Sequence, residues 1–196
     1  MRIRKTWLVL TLGLLAALFA VQAQAQNNEI EGDIGYYFPG DITLPNARLN
    51  YQAGVSYGAR YGHRFAPLFG GDISWSHFEA DNNHSEADRL QCSKCDLTFD
   101  FVDFSLDWYP GGGDWALYAG IGWLTYSYKI ITPLLDIRES RDNFTWHIGA
   151  AYTWKLGSSF YVRPDARLRF LTLNQNASGK YSSEDPEFRL GFGWRF

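Results

Sequence analysis

Phe144-Thr-Trp-His-Ile-Gly-Ala-Ala-Tyr-Thr-Trp-Lys155 decides the fold. Taken at every second residue, it sets Phe144, Trp146, Ile148, Ala150, Tyr152 and Trp154 on one face, and Thr145, His147, Gly149, Ala151, Thr153 and Lys155 on the other. A strand sends successive side chains to opposite sides, so this segment reads as a strand with one wholly apolar face. Phe160 to Leu171 repeats the pattern, with Phe160, Val162, Pro164, Ala166, Leu168 and Phe170 against Tyr161, Arg163, Asp165, Arg167, Arg169 and Leu171. Four charges share that second face. From Glu187 to Phe196 a third apolar row runs through Phe188, Leu190, Phe192, Trp194 and Phe196.

Outward from these three, weaker alternation predicts five more strands, at Glu29 to Phe38, Arg48 to Tyr61, Leu68 to Phe78, Leu97 to Tyr109 and Trp115 to Tyr126. The links alternate in length. His63 to Pro67, Pro110 to Asp114 and Leu156 to Ser159 read as short turns; Pro39 to Ala47, Glu79 to Asp96, Ser127 to Asn143 and Thr172 to Asp185 read as long loops. Eight strands joined alternately by short and long links predict an all-β chain, an eight-stranded antiparallel up-and-down transmembrane β-barrel with both ends on the short-turn side.

Alternation alone also fits a soluble sandwich or a lipocalin-like barrel with its apolar face turned inward. Three features favour the membrane. First, the polar faces are balanced: Glu31, Asp33, Asp72, Asp103, Asp107, Asp165 and Glu187 oppose Arg48, Arg60, Lys155, Arg163, Arg167, Arg169, Arg189 and Arg195, as suits a closed set of interior ion pairs. Second, aromatics sit near the ends of the apolar rows, at Trp108, Trp123, Phe144, Trp154, Phe160, Trp194 and Phe196, where bilayer interfaces lie. Third, the interior of eight strands is only wide enough for ordinary side chains, whereas lipid sets no volume limit on the 8 Trp and 14 Phe.

Composition agrees. The 196 residues are 46% hydrophobic and 17% aromatic, yet mean hydropathy is -0.27, so the apolar residues are dispersed and a polytopic helical membrane protein is excluded. Met1-Arg-Ile-Arg-Lys5, the apolar Thr6 to Val21 and the small-x-small Ala23-Gln24-Ala25 read as a signal peptide over residues 1–25, leaving a barrel domain over 26–196. A single transmembrane anchor is the alternative; the stretch is short for a span and lacks basic stop-transfer flanks. Without Arg2, Arg4 and Lys5 the 18 basic residues fall to 15 against 21 acidic, a charge of -6. Such a chain has no basic excess for nucleic acid. No later run is long enough to cross a bilayer as a helix.

Read together, these features resemble the small eight-stranded outer-membrane barrels, the group that includes the OmpA transmembrane domain, OmpX and OmpW. Phe188-Arg-Leu-Gly-Phe-Gly-Trp-Arg-Phe196 resembles the assembly signal that the outer-membrane insertion machinery reads, with Phe192, Trp194 and Phe196 as its apolar residues. Asp107-Trp-Tyr-Pro110, the glycines after it and Tyr118-Ala-Gly-Ile-Gly122 are similar to a strand, turn and strand of the OmpA-like barrels. The resemblance implies the outer membrane of a Gram-negative bacterium, contact with lipids including lipopolysaccharide, and a monomer. With the sequence ending at Phe196, no cell-wall-binding domain like that of OmpA is expected after the barrel.

The candidate chemistry is an interior ion-pair network of Glu31, Asp33, Arg48, Arg60, Asp72, Asp103, Asp107, Lys155, Arg163, Asp165, Arg167, Arg169, Glu187 and Arg189. It reads first as a salt-bridged plug and second as a narrow gated pore, opened when pairs exchange partners. Cys92-Ser-Lys-Cys95 sits in the second long loop, where export favours a local disulfide; redox chemistry would need a helix behind the motif, and one Cys pair with His84 or His77 is a weak zinc signal. Some related barrels modify lipid A with a His, a Ser and an acid at the outer rim. Of His63, His77, His84 and His147, only His77 near Glu79 stands at that rim, and no His-x-Ser-Asn sequence is present. No catalytic residue, metal ligand or cofactor is assigned. The acidic Asp81 to Arg89 and the largely apolar Lys129 to Ile137 are candidate surface contacts, the latter either as a loop tip or as a continuation of the flanking strands. A structural or surface-interaction role is expected first, a small-solute pore second and a lipid A enzyme third.

Overall fold

The computed structural model describes residues 27–40, 42–44, 47–49, 52–81, 94–132, 135–175 and 179–196, with side chains over 27–40, 52–79, 97–127, 140–171 and 183–196. Eight long strands build the wall: β1 (Asn28–Tyr37), β2 (Gly54–Ala66), β3 (Phe69–Asp81), β4 (Lys94–Trp108), β5 (Trp115–Thr132), β6 (Leu135–Tyr152), β7 (Phe160–Gln175) and β8 (Gly179–Arg195). Each pairs antiparallel with the next. β8 also pairs with β1, from Glu29 opposite Arg195 to Tyr37 opposite Glu187, and so closes the barrel. Asn28 and Phe196 exchange two backbone hydrogen bonds at the foot of that seam.

The wall settles which face is which. All seven described Trp point outward and are 41–66% exposed, and Ile34, Phe104, Leu106, Ile121, Ile148, Leu190 and Phe192 share that surface. So wide an apolar exterior is stable only in lipid. Trp108, Trp115, Trp154, Phe160 and Trp194 ring one end, while Trp75, Trp123 and Phe144 mark the other. Eight residues of β5 separate Trp115 from Trp123; at about 3.3 Å per residue and a tilt of about 40°, that is about 20 Å of height, near the thickness of an outer-membrane apolar band.

Several boundaries differ from the sequence expectation. The second strand begins at Gly54, and residues 47–49 instead form a short hairpin with 42–44, flanking a Pro45-Asn46 pair of turn composition. Its lower end runs through the expected turn to Ala66, because His63 Nδ1 lies 2.8 Å from Asn28 Oδ1 and the Arg64 amide donates to the Asn27 carbonyl at 2.8 Å. The third and fourth long loops are much shorter than expected. β5 and β6 stay paired up to Thr132 opposite Leu135, and β7 and β8 up to Gln175 opposite Gly179. Within Lys129 to Ile137, residues 129–132 and 135–137 therefore continue the fifth and sixth strands. Cys92, His84 and the expected signal peptide over residues 1–25 lie outside the described residues, as does the side chain of Cys95.

Candidate functional site

The interior is one continuous network, built by alternation and by cross-strand glycines. Register places Glu31 opposite Gly193, Asp33 opposite both Gly58 and Gly191, Asp72 opposite Gly62, His147 opposite Gly120 and Tyr118 opposite Gly149. Each bulky inward side chain thus lies over a strand that offers none, and the lumen fills without bursting the wall. At Gly193 the fit is close enough that an added Cβ would stand 2.1 Å from Tyr161 Cζ.

At the inner end, Arg60 sits among four carboxylates, with Glu29 at 3.0 Å, Asp72 at 3.2 Å, Asp107 at 3.4 Å and Glu31 at 3.8 Å. Glu29 is also held by Arg195. In the middle, Arg163 reaches Asp165 and Glu31 at 3.6 and 3.7 Å, and Arg189 reaches Asp165 and Asp33 at 3.3 and 3.6 Å. Tyr118 donates to Asp165 at 2.7 Å. Higher still, Asp103 takes Arg167 at 2.6 Å and Arg169 at 2.8 Å, and Arg169 reaches on to Glu187 and Ser76, each at 3.1 Å. All these groups except Arg195 are buried, which matters because a guanidinium so enclosed is tolerable only with carboxylates in contact.

Of the expected network, twelve residues meet inside the barrel, Lys155 does not, and the side chain of Arg48 lies outside the described residues. Lys155 is half exposed and pairs with Asp114 at 2.7 Å; the sixth strand breaks at Thr153, and Trp154–Lys155 continues as a separate short strand. Arg48 belongs to the 47–49 hairpin strand and so is on no barrel strand. Glu29, Tyr118, Asp185 and Ser56 are interior groups the sequence reading passed over. Strand parity carried the signal for each: Glu29, Ser56 and Asp185 share the inward face of Glu31, Arg60 and Glu187, and Tyr118 is on the face opposite Trp123.

The outer third of the lumen is largely apolar. Tyr37, Phe78, Leu97, Phe99, Phe101, Leu124, Tyr126 and Leu171 form a buried apolar cluster there. Arg169 joins the two regions, its guanidinium carbon 4.0 Å from the centre of the Phe101 ring. Above it Tyr37 donates to Asp185, which also accepts from the Gly40 amide at 3.0 Å.

One triad has the order of a nucleophile, base and acid. Ser105 Oγ lies 3.0 Å from His147 Nε2, and His147 Nδ1 lies 3.7 Å from Asp103 Oδ1. Asp103 and His147 are wholly enclosed and Ser105 nearly so, and the acid is already spent on two arginines. All three side chains are enclosed within the barrel. His63 lies at the inner end on Asn28, and His77 at the outer rim between Asp100 and Glu79. Among the described residues no group of three or more His, Cys, Asp or Glu is arranged to hold a metal ion.

Residues 11–196 match the model of the outer membrane protein beta-barrel domain family. No curated protein matches the chain by sequence. Among solved structures it is similar to the attachment invasion locus protein Ail of Yersinia pestis, at 15% identity and a TM-score of 0.56, covering 87% of this chain and 99% of Ail. OprG of Pseudomonas aeruginosa gives 14% identity and a TM-score of 0.62 over 88% and 97% of the two chains. A major outer membrane protein of Thermus thermophilus gives 14% and 0.56 over 88% and 100%. At these identities the likeness concerns the fold alone.

Proposed function

The chain belongs to the outer membrane protein beta-barrel domain family, and from that premise we propose that it is a closed barrel of the Gram-negative outer membrane whose work is done by the parts standing above the bilayer. The filled lumen carries this reading. Ion pairs occupy it from Glu29 to Arg169, and the buried apolar cluster from Phe101 to Tyr37 lies beyond them, which argues against a continuous polar route among the described residues. The β5–β6 and β7–β8 hairpins then form the exposed working surface.

Ail, which shares the fold, has been solved in complex with the heparin analogue sucrose octasulfate. That supports a ligand-binding role for a barrel of this fold. A polyanion suits this chain poorly, since the expected mature charge is -6; a neutral or cationic partner fits better.

A gated pore is the second reading, and one observation favours it. Nine carboxylates, Glu29, Glu31, Asp33, Asp72, Asp103, Asp107, Asp165, Asp185 and Glu187, are buried inside against five arginines, Arg60, Arg163, Arg167, Arg169 and Arg189. An acidic excess of that kind would select cations if the pairs parted. Single-channel recording of the refolded barrel in a planar bilayer tests both. A silent bilayer containing folded protein supports the closed barrel; discrete cation-selective openings overturn it in favour of the pore.

A further inference from the structure

The junction between β6 and β7 is the shortest unbroken ladder in the wall. It runs only from Asp165 opposite Ala151 to Leu171 opposite Thr145, whereas β5 and β6 pair from Trp115 opposite Tyr152 to Thr132 opposite Leu135. Above it the two strands separate. Among the described residues, 135–144 pair with β5 alone and 172–175 with β8 alone.

Below it the ladder stops at a proline. The register on either side, Asp165 opposite Ala151 and Val162 opposite Trp154, sets Pro164 opposite Tyr152. Further down, the Leu156 amide donates to the Phe160 carbonyl at 2.9 Å, and in an antiparallel pair such hydrogen-bonded positions recur at every second residue. Tyr152 and Pro164 therefore occupy one of them. The Thr153 amide agrees, since it turns the other way and donates to the Asp114 carbonyl at 2.9 Å, beside the start of β5. Pro164 has no N–H to give, so the Tyr152 carbonyl loses its cross-strand donor and β6 breaks at Thr153. Pro164 is exposed in the apolar row between Phe160 and Phe170, where lipid supplies no substitute donor.

The lumen side of the same place is loosely held. Arg163, next to Pro164, makes the longest ion pairs of the five buried arginines, at 3.6 Å to Asp165 and 3.7 Å to Glu31, and its Nη1 makes no hydrogen bond. Neither partner belongs to β6. Against Arg163, Asp165 and Arg167, β6 sets only the uncharged Thr153, Ala151 and Gly149, so within the membrane no ion pair among the described residues joins β6 to β7. We propose that this junction is the parting line of the barrel, where the wall yields so that the β5–β6 and β7–β8 hairpins move as two bodies. A surface partner that grips both hairpins then acts through the line on Arg163 and Asp165. That coupling presupposes the surface role proposed above; the parting line does not.

Amide hydrogen exchange of the refolded barrel in nanodiscs, read by mass spectrometry, tests the parting line. Residues 146–152 and 164–170 are expected to exchange several-fold faster than residues 30–36 of β1, which face the closure with β8. Pro164→Ala and Pro164→Val both restore the N–H, and both slow the fast segments to the β1 rate. Exchange no faster than in β1 overturns the parting line, as does a rate that neither substitution lowers; slowing by Val alone overturns the missing N–H as its cause. The coupling is tested by joining the exposed positions 140 and 184, as Ser140→Cys and Glu184→Cys, with a bis-maleimide in a chain carrying Cys92→Ser and Cys95→Ser. Joining the hairpins slows the same segments several-fold, and unchanged exchange overturns the coupling. Heat-modifiable gel mobility reports folding of each variant, and the wild-type comparison with β1 keeps the test decisive should a variant not fold.

Discussion

Arg169 on β7 donates to Asp103 on β4 across the lumen at 2.8 Å, and the same carboxylate oxygen takes Arg167 at 2.6 Å. One buried acid therefore neutralises two buried guanidiniums. Asp103→Ala leaves Arg167 with no other ion pair inside 4 Å among the described residues, and Arg169 with Glu187 alone. The expected loss is about 3 to 5 kcal/mol, the usual result of breaking a buried pair from one side. Adding Arg167→Met to Asp103→Ala removes the orphaned charge and recovers part of that loss. Urea unfolding in lipid vesicles measures both, and strictly additive effects contradict the coupling.

Tyr161 lies over Gly193, and the three atoms nearest to a Cβ at 193 all belong to the Tyr161 side chain. Gly193→Ala is therefore expected to destabilise by about 1 to 3 kcal/mol through overpacking. Tyr161→Val clears the space, so the double variant unfolds at a higher urea concentration than Gly193→Ala alone. A double variant no better than the single one places the penalty in the backbone.

The membrane-embedded half of the barrel was legible because lipid demands an apolar outer face while the lumen demands polar partners. Phe144 to Lys155 and Phe160 to Leu171 show that contrast at every step. Above the girdle both sides of the wall meet polar surroundings or each other, and the contrast fades. Ser127 and Ser140 face outward with hydroxyls, so the paired upper parts of β5 and β6 from Ser127 to Asn143 read as a loop. Leu97, Phe99 and Phe101 were hidden differently. Their neighbours Val102 and Phe104 are apolar too, yet counting by twos from Asp103 already places all three inside, where the outer plug is found.

Depth in the bilayer gives a prediction along a single strand. Ile148 lies midway between Phe144 and Trp154, which mark opposite girdles on β6 and its short continuation, and its side chain is half exposed to lipid. Ile148→Arg is expected to lower stability by about 2 to 4 kcal/mol, and Phe144→Arg by about 1 kcal/mol or less as the charge comes within reach of the headgroups. Equal effects at the two positions, measured by vesicle unfolding, place the bilayer elsewhere on the barrel.

Phe196 has two separable roles, and removing it distinguishes them. Its backbone closes the seam, donating to the Asn28 carbonyl at 2.9 Å and accepting from the Asn28 amide at 3.1 Å, while its ring packs on Trp194 at 5.0 Å between centroids. Two backbone hydrogen bonds contribute about 1 kcal/mol each, a small part of the pairing that joins β8 to β1 and β7. The truncated chain should therefore refold in vesicles nearly as well as the full one. If the terminal aromatic is what the insertion machinery reads, the same truncation lowers the amount of barrel recovered from outer membranes in cells, and Phe196→Tyr, which keeps the aromatic terminus, restores it. Normal levels of the truncated chain in cells contradict the assembly signal, and failure in vesicles as well as in cells assigns Phe196 to stability instead.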